Sequence, residues 1–231
     1  MNRTLDVATS LAATLARLGS GMAIGSLGRR PEAPLELYEF EGCPYCRKVR
    51  EALSILDLDA QILPCPKGGP IYRPELIERG GKAQFPYLVD PNTGREMYES
   101  NDIVAYLFET YGEGAPPLLL RAGPLNDVTA FAVGLWRPRG GVRYRKATPP
   151  QHPLELYGFE ASPFCRIVRE ALCSLEIRYL LHNVAKGSPR REAFAQRSGR
   201  AMVPWLVDPN TGTEMFESAD IVRYLNETYA A

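Results

Sequence analysis

The stretch Leu35-Glu36-Leu37-Tyr38-Glu39-Phe40-Glu41-Gly42-Cys43-Pro44-Tyr45-Cys46-Arg47-Lys48-Val49-Arg50-Glu51-Ala52-Leu53 runs from an apolar segment through a tight turn into a basic, amphipathic one. Leu35 to Phe40 reads as a strand and Pro44 to Leu56 as a helix, so two cysteines lie where a strand hands the chain to a helix. With Cys43 as the helix cap and Pro44 as the first helical residue, where proline's missing N–H costs nothing, the unpaired N–H groups of the first turn point at the Cys43 sulfur and favour its thiolate. Cys46 follows at the i+3 spacing that shares a helix face, within disulfide reach of Cys43. It also heads the stripe Cys46, Val49, Leu53, Leu56, the core-facing period of an amphipathic helix. The expectation is an exposed Cys43 backed by a half-buried Cys46, the arrangement that dithiol exchange requires.

Two plainer readings stand beside this one: half of a zinc site, or two inert core cysteines. Residues 1–151 contain no histidine, and Cys65 is the only other cysteine there, so no four-ligand metal site can be assembled in this half and none is expected. The same absence excludes a Cys-His hydrolytic pair within it. His152 and His182, both further along, fall in a linker and near a strand end and receive no role.

The whole chain has 231 residues with 27 Lys+Arg against 27 Asp+Glu, a balance that points to neither nucleic acid nor an anionic membrane as partner. Five unevenly spaced cysteines do not form a secreted disulfide framework, so a reducing compartment, the cytoplasm, is expected. Residues 3–30 are rich in Ala, Ser, Gly and Arg with Asp6 as their single acid, so an organelle stroma or matrix follows if residues 1–30 are a transit segment. The competing reading is an amphipathic helix with Leu5, Ala8, Leu11, Ala12, Leu15 and Leu18 on one face.

The chain is also a repeat. Leu35 to Tyr38 recurs as Leu154 to Tyr157, Cys46-Arg47 as Cys165-Arg166, and Val49 to Leu53 as Val168 to Leu172. After a one-residue slip in a loop, Leu88 to Gly94 returns unchanged as Leu206 to Gly212, and Glu99-Ser100 as Glu217-Ser218. Residues 11–17 are echoed loosely at 131–137, which favours a structural helix before each copy over a targeting peptide. The boundaries follow: 1–34 helix and linker, 35–113 first domain, 114–153 connecting helix and Pro-rich linker, 154–231 second domain. Within a copy the order is βαβαββα, with Asp90 to Gly94 as a hairpin turn and Ser100 capping the last helix.

That order, with Cys-Pro-Tyr-Cys after the first strand, a proline opening the third and Glu-Ser before the last helix, resembles the thioredoxin-like α/β fold of glutaredoxins and of glutathione transferase N-terminal domains. The resemblance covers 35–112 and 154–230. It implies that Pro86, after Phe85, is a cis proline beside the active thiol, and that Phe85 pairs its backbone with the cysteinyl part of glutathione. It further implies that Glu99 takes the γ-glutamyl ammonium while Ser100 and the helix N-terminus take the neighbouring carboxylate. Lys67, repeated as Lys186, would meet the glycyl carboxylate, and Arg47 the thiolate or a glutathione carboxylate. Helix capping for Glu99-Ser100 and solvated surface charge for Arg47 and Lys48 are the plain alternatives.

The second copy carries Ser162-Pro163-Phe164-Cys165, which cannot form a disulfide and resembles serine-type transferases, while Val203-Pro204 and Glu217-Ser218 persist. Cys165 reads as a core residue. The function expected is a glutathione-dependent, glutaredoxin-like oxidoreductase acting through Cys43 and Cys46 on protein or small-molecule disulfides, with glutathione as cosubstrate and the second copy binding glutathione or serving structure. A glutathione transferase is the alternative enzyme. A module holding a protein partner or a glutathione-ligated iron-sulfur cluster is the non-enzymatic one.

Overall fold

The computed structural model describes residues 7–11, 19–25, 27–121 and 140–231. The first copy runs β1 (Leu35–Glu39), α1 (Pro44–Ile55), β2 (Ala60–Pro64), α2 (Tyr72–Gly80), β3 (Tyr87–Asp90), β4 (Arg95–Met97) and α3 (Ser100–Tyr111). A short α4 (Leu118–Arg121) follows. The second copy repeats the order as β5 (Leu154–Gly158), α5 (Pro163–Ser174), β6 (Tyr179–Asn183), α6 (Arg191–Ser198), β7 (Trp205–Asp208), β8 (Thr213–Phe216) and α7 (Ser218–Tyr229). Residues 7–11 are helical; the rest of the helix read at 4–18, and all of 125–137, lie outside the described residues. No described helix is long and apolar enough to cross a membrane.

Alternation along β1 decides which layer goes where. Leu35 and Leu37 face α1 and α3, joining Val49, Leu53, Ile103 and Leu107 in a core that continues without a break into Leu154, Val168 and Ile221 of the second copy. Tyr38 faces the other way, with Leu63, Cys65, Leu76 and Tyr87 under α2. The unchanged Asp-Pro-Asn-Thr-Gly turn is explained by structure: Asp90 accepts from Tyr106 and Tyr111 hydroxyls at 2.6 and 2.5 Å, and Asn92 from the Ala33 N–H at 2.8 Å.

The two copies share one eight-stranded sheet, ordered β4-β3-β1-β2-β6-β5-β7-β8. Its seam is the antiparallel pairing of β2 with β6, Ala60 opposite Leu181 and Ile62 opposite Tyr179. Each copy thereby covers the open edge of the other, which would otherwise template aggregation.

Beside the seam, α1 and α5 bring together a caged set of charges. Arg50 donates to Glu160 at 2.9 Å and pairs with Glu39, while Arg169 donates to Glu41 at 3.0 Å and reaches Glu160 at 2.7 Å. Glu41 and Glu160, like Arg50 and Arg169, occupy matching repeat positions, so the pairs cross between copies about a pseudo-two-fold axis. Arg47 belongs here too, donating to Glu51 at 3.1 Å with Glu160 at 3.6 Å. The solvated reading of Arg47 and Lys48 is therefore corrected: both are buried, Lys48 donating to Asn101 at 2.6 Å. The second copy packed against α1 removes the water from Arg47, and the contact with α3 of its own copy shields Lys48.

The cage breaks its symmetry at Glu39, whose repeat partner is Gly158. Burial pushes the Glu39 carboxyl up to about 7, with Arg50 opposing. The folded protein then keeps a proton that the unfolded chain gives up near its ordinary value. Stability contributed by this group is complete below about pH 4.5 and is lost as pH rises to about 7, by an amount on the order of 3 kcal/mol. Glu39→Gln should flatten the urea-midpoint profile across that window, whereas an unchanged slope would place the titration elsewhere.

The linkers cross over. Residues 19–25, upstream of the first copy, run onto the second: Ile24 N–H donates to the Lys186 carbonyl at 3.0 Å and Lys186 N–H to Met22 at 2.9 Å. Upstream of the second copy, Tyr144 N–H donates to Lys67 at 3.0 Å and Lys67 N–H to Val142 at 2.7 Å. Each linker then returns to its own copy, Leu27 bridging Gly112 and Ala147 bridging Ala230.

Candidate functional site

Cys43 caps α1 in extended backbone with Pro44 following, and the Cys46 N–H donates to its sulfur at 3.4 Å. The Cys46 thiol, hydrogen-bonded to the Cys43 sulfur, lowers the Cys43 thiol below its ordinary value against the opposing effect of burial, with the Cys46 and Tyr45 N–H groups adding to it. Burial, and then its bond to Cys43, pushes the Cys46 thiol well up. The dithiol is thus polarised between an acidic outer sulfur and a protonated inner one.

The exposures expected for this pair need correction. Cys43 is only 5% exposed and Cys46 is fully buried. The reason is tertiary: a Cβ on Gly42 would fall 2.4 Å from Val142 Cγ2, so the crossing linker lies directly over the residue before Cys43. Tyr45, between Pro44 and the buried Cys46, is 44% exposed.

The Phe85–Pro86 and Val203–Pro204 peptide bonds are cis. Phe85 meets Phe40, which precedes the cysteine turn, edge to face at 5.7 Å, so the proline loop and the turn share a wall. Arg73 completes that wall, its guanidinium 4.6 Å over the Phe85 ring and donating to the Cys65 and Pro66 carbonyls at 3.0 and 2.8 Å. Sequence reading passed over Arg73, although its recurrence as Arg191 was a signal.

Glu99 is the N-cap of α3 at φ 67° and makes no side-chain capping bond. Ser100, read as the cap, is instead the first helical residue. Glu217 has the same backbone at φ 65° and likewise makes no capping bond to α7. A non-glycine residue held in this region costs of order 1–3 kcal/mol and clusters at functional sites, which argues against a simple capping role in either copy. Gln84 bonds the Glu99 carboxylate, tying the α3 N-terminus to the proline loop. Lys67 and Gly68 stand exposed on the loop after β2. Arg47 is not brought to this group, being turned into the interdomain cage.

In the second copy Ser162 caps α5 and accepts from the Cys165 N–H at 3.3 Å. Burial pushes the Cys165 thiol up. Ser162 is 4% exposed, and Ser10 donates to the neighbouring Pro163 carbonyl at 2.9 Å while accepting from Arg166 at 2.9 Å. Cys65 and Cys173 are buried thiols pushed upward by desolvation. His182 stacks on Tyr157 at 4.3 Å and lies 2.8 Å from Asp59 across the seam, a structural link between copies. Among the described residues no group of three or more His, Cys, Asp or Glu could hold a metal ion.

Both copies, residues 37–116 and 156–231, match the family profile of the glutathione S-transferase N-terminal domain. The chain belongs to that family. Solved structures of glutathione transferases resemble this tandem N-terminal-domain protein. One is Bombyx mori glutathione transferase BmGSTD1, at 21% identity and TM-score 0.34, with 46% of this chain and 65% of that chain covered. Another is Leishmania TDR1, titled a unique trimeric glutathione transferase, at 17% identity and TM-score 0.33, with 87% of this chain and 68% of that one covered. The chain thus spans a little under two thirds of the first structure's length. No curated protein matches it. Two glutathione S-transferase N-terminal domains in one chain establish the thioredoxin-like fold and a relation to glutathione.

Proposed function

We propose that the first copy is a glutathione-dependent thiol-disulfide oxidoreductase acting through Cys43, with the second copy a glutathione-binding or structural partner. The observation that carries this reading is the contrast between two matching helix caps. One offers a sulfur that accepts a backbone N–H at 3.4 Å and is backed one turn on by a second thiol; the other offers a serine hydroxyl. The Cys43 thiolate attacks one sulfur of a disulfide, that S–S bond breaks, and the departing thiolate takes a proton from water. A glutathione thiolate then attacks the outer sulfur of the mixed disulfide and frees Cys43, or Cys46 attacks the Cys43 sulfur, expels the substrate thiolate and leaves a Cys43–Cys46 disulfide that two glutathiones reduce to the dithiol with release of glutathione disulfide. Glutathione supplies the two electrons.

Glutathione lies along the Phe85–Pro86 loop, its ammonium on Glu99 and the adjacent carboxylate at Ser100 and the α3 N-terminus, with Lys67 facing its glycyl end. The unused capping capacity of Glu99 supports this assignment. The 5% exposure of Cys43 favours slender disulfides, such as glutathionylated thiols, over disulfides set in bulky folds.

The test is pH-dependent alkylation read by mass spectrometry, with Cys165 as internal comparison. Cys43 should react as a thiolate well below the ordinary value of about 8.5 and take up one glutathione, while Cys165 does neither. Ordinary titration of Cys43 with no adduct would overturn the reading. A transferase reading rests on family membership and on Ser162. Conjugation of glutathione to a chromogenic electrophile, lost in Ser162→Ala, would put it in place of the dithiol reading.

A further inference from the structure

Each copy is crossed by the linker of the other, in the same register, and the two linkers differ in charge. Ala23 bridges Lys186 in the second copy, and Arg143 bridges Lys67 in the first. Counting from these bridges, the residues laid on the serine copy are Met22-Ala23-Ile24 and those laid on the dithiol copy are Val142-Arg143-Tyr144, after which Gly25 and Arg145 turn back to their own copies, donating to the Ile55 and Ser174 carbonyls at 2.7 Å each. Arg29 and Arg30 follow later on the first linker, but they serve their own copy. Arg30 donates to the Leu56 and Tyr111 carbonyls at 2.6 and 3.1 Å, and Arg29 lies over the Tyr111 ring.

From this asymmetry we infer that Arg143, carried on the linker before the second copy, is a substrate-recognition residue of the first copy's thiol site, selecting disulfides that bear carboxylates. The inference rests on the oxidoreductase reading and adds to it a second cation beside Lys67. Three observations on position support it. The parallel bridge sets Arg143 and Lys67 side by side, held by the two main-chain hydrogen bonds between residues 142–144 and Lys67. Both side chains are exposed, and among the described residues neither has an ion-pair partner. Val142, the preceding residue, lies against Gly42, one residue from Cys43.

The chemistry follows from the pairing. Glutathione disulfide has two halves. As Cys43 attacks, one becomes the mixed disulfide, its glycyl carboxylate at Lys67, and the other leaves as a thiolate. Arg143 meets a carboxylate of that departing half through a planar fork of donors that Lys67 lacks. A neutral disulfide presents nothing to it.

The experiment measures the second-order rate of mixed-disulfide formation at Cys43 in the full chain, by intact mass, with glutathione disulfide and with 2-hydroxyethyl disulfide. Arg143→Ala should slow glutathione disulfide about three- to tenfold and leave 2-hydroxyethyl disulfide unchanged, in keeping with a partly exposed charge-assisted contact. The difference should shrink at high salt, Arg143→Lys should recover part of it, and Ala23→Arg on the other linker should change neither rate. An equal loss on both disulfides would make Arg143 merely structural and overturn the inference. If wild-type Cys43 reacts with neither reagent, the oxidoreductase reading itself fails. Calorimetric binding of glutathione disulfide, which carries both halves, to wild type and Arg143→Ala then decides the linker's role separately, and equal affinities would end it.

Discussion

Cys43→Ser should lower disulfide reductase activity by about a thousandfold or more, to the level set by free glutathione, because it removes the attacking atom itself. The variant is a controlled one. Ser162 already occupies the matching position, with the same extended backbone and the same acceptance of an N–H three residues on, so the fold tolerates serine there. Unfolding should accordingly change little, which separates chemistry from stability. Cys46→Ser should behave differently. It removes internal resolution and replaces the side-chain hydrogen bond that lowers the Cys43 thiol with one from a hydroxyl, so turnover on glutathionylated substrates persists at a reduced rate while reduction that needs the Cys43–Cys46 disulfide is lost. Full activity in Cys43→Ser would dismiss the dithiol mechanism.

Arg50→Met should destabilise the whole chain by about 3–5 kcal/mol, read as a lower urea midpoint in a transition shared by both copies. Arg50 is 1% exposed and serves Glu39, Glu41 and Glu160 together. Its loss leaves Glu39 without its closest counter-charge and Glu160 to Arg169 and weaker contacts. A buried carboxylate without a partner must either take up a proton or bear its desolvation. The exposed pairs of Arg79 with Glu36 and Glu96 set the scale from the other side, since water already screens them. Arg79→Met should cost about 0–1 kcal/mol. Separate unfolding of the two copies in the Arg50 variant would mean that the charge cage, not the seam strands, couples them.

The element order was legible because its signals are local. Leu35-Glu36-Leu37-Tyr38 alternates, Pro44 opens a helix, Asp90-Pro91-Asn92-Thr93-Gly94 turns, and duplication let every element be read twice. The axis of the site, Cys43 to Cys46, was legible for the same reason: a helix cap needs only the residues that flank it. Exposure was not legible. Arg47, Lys48, Arg50 and Glu51 have the composition of a solvated helix face, and Cys43 that of an open cap. Nothing within the helix reveals that α5, α3 and a linker arriving from residues 140–147 between them cover these residues.

By itself, then, the sequence determined two βαβαββα copies, the dithiol at one helix terminus and the serine at the other, since periodicity, turn residues and internal repetition act over a few residues or compare like with like. The tertiary structure alone decided that β2 and β6 join into one sheet, that the linkers cross so that Arg143 lies beside Lys67, and that buried charges pair between copies. Each of these depends on which surfaces meet, and burial is a property of the pair of surfaces, written in neither segment alone.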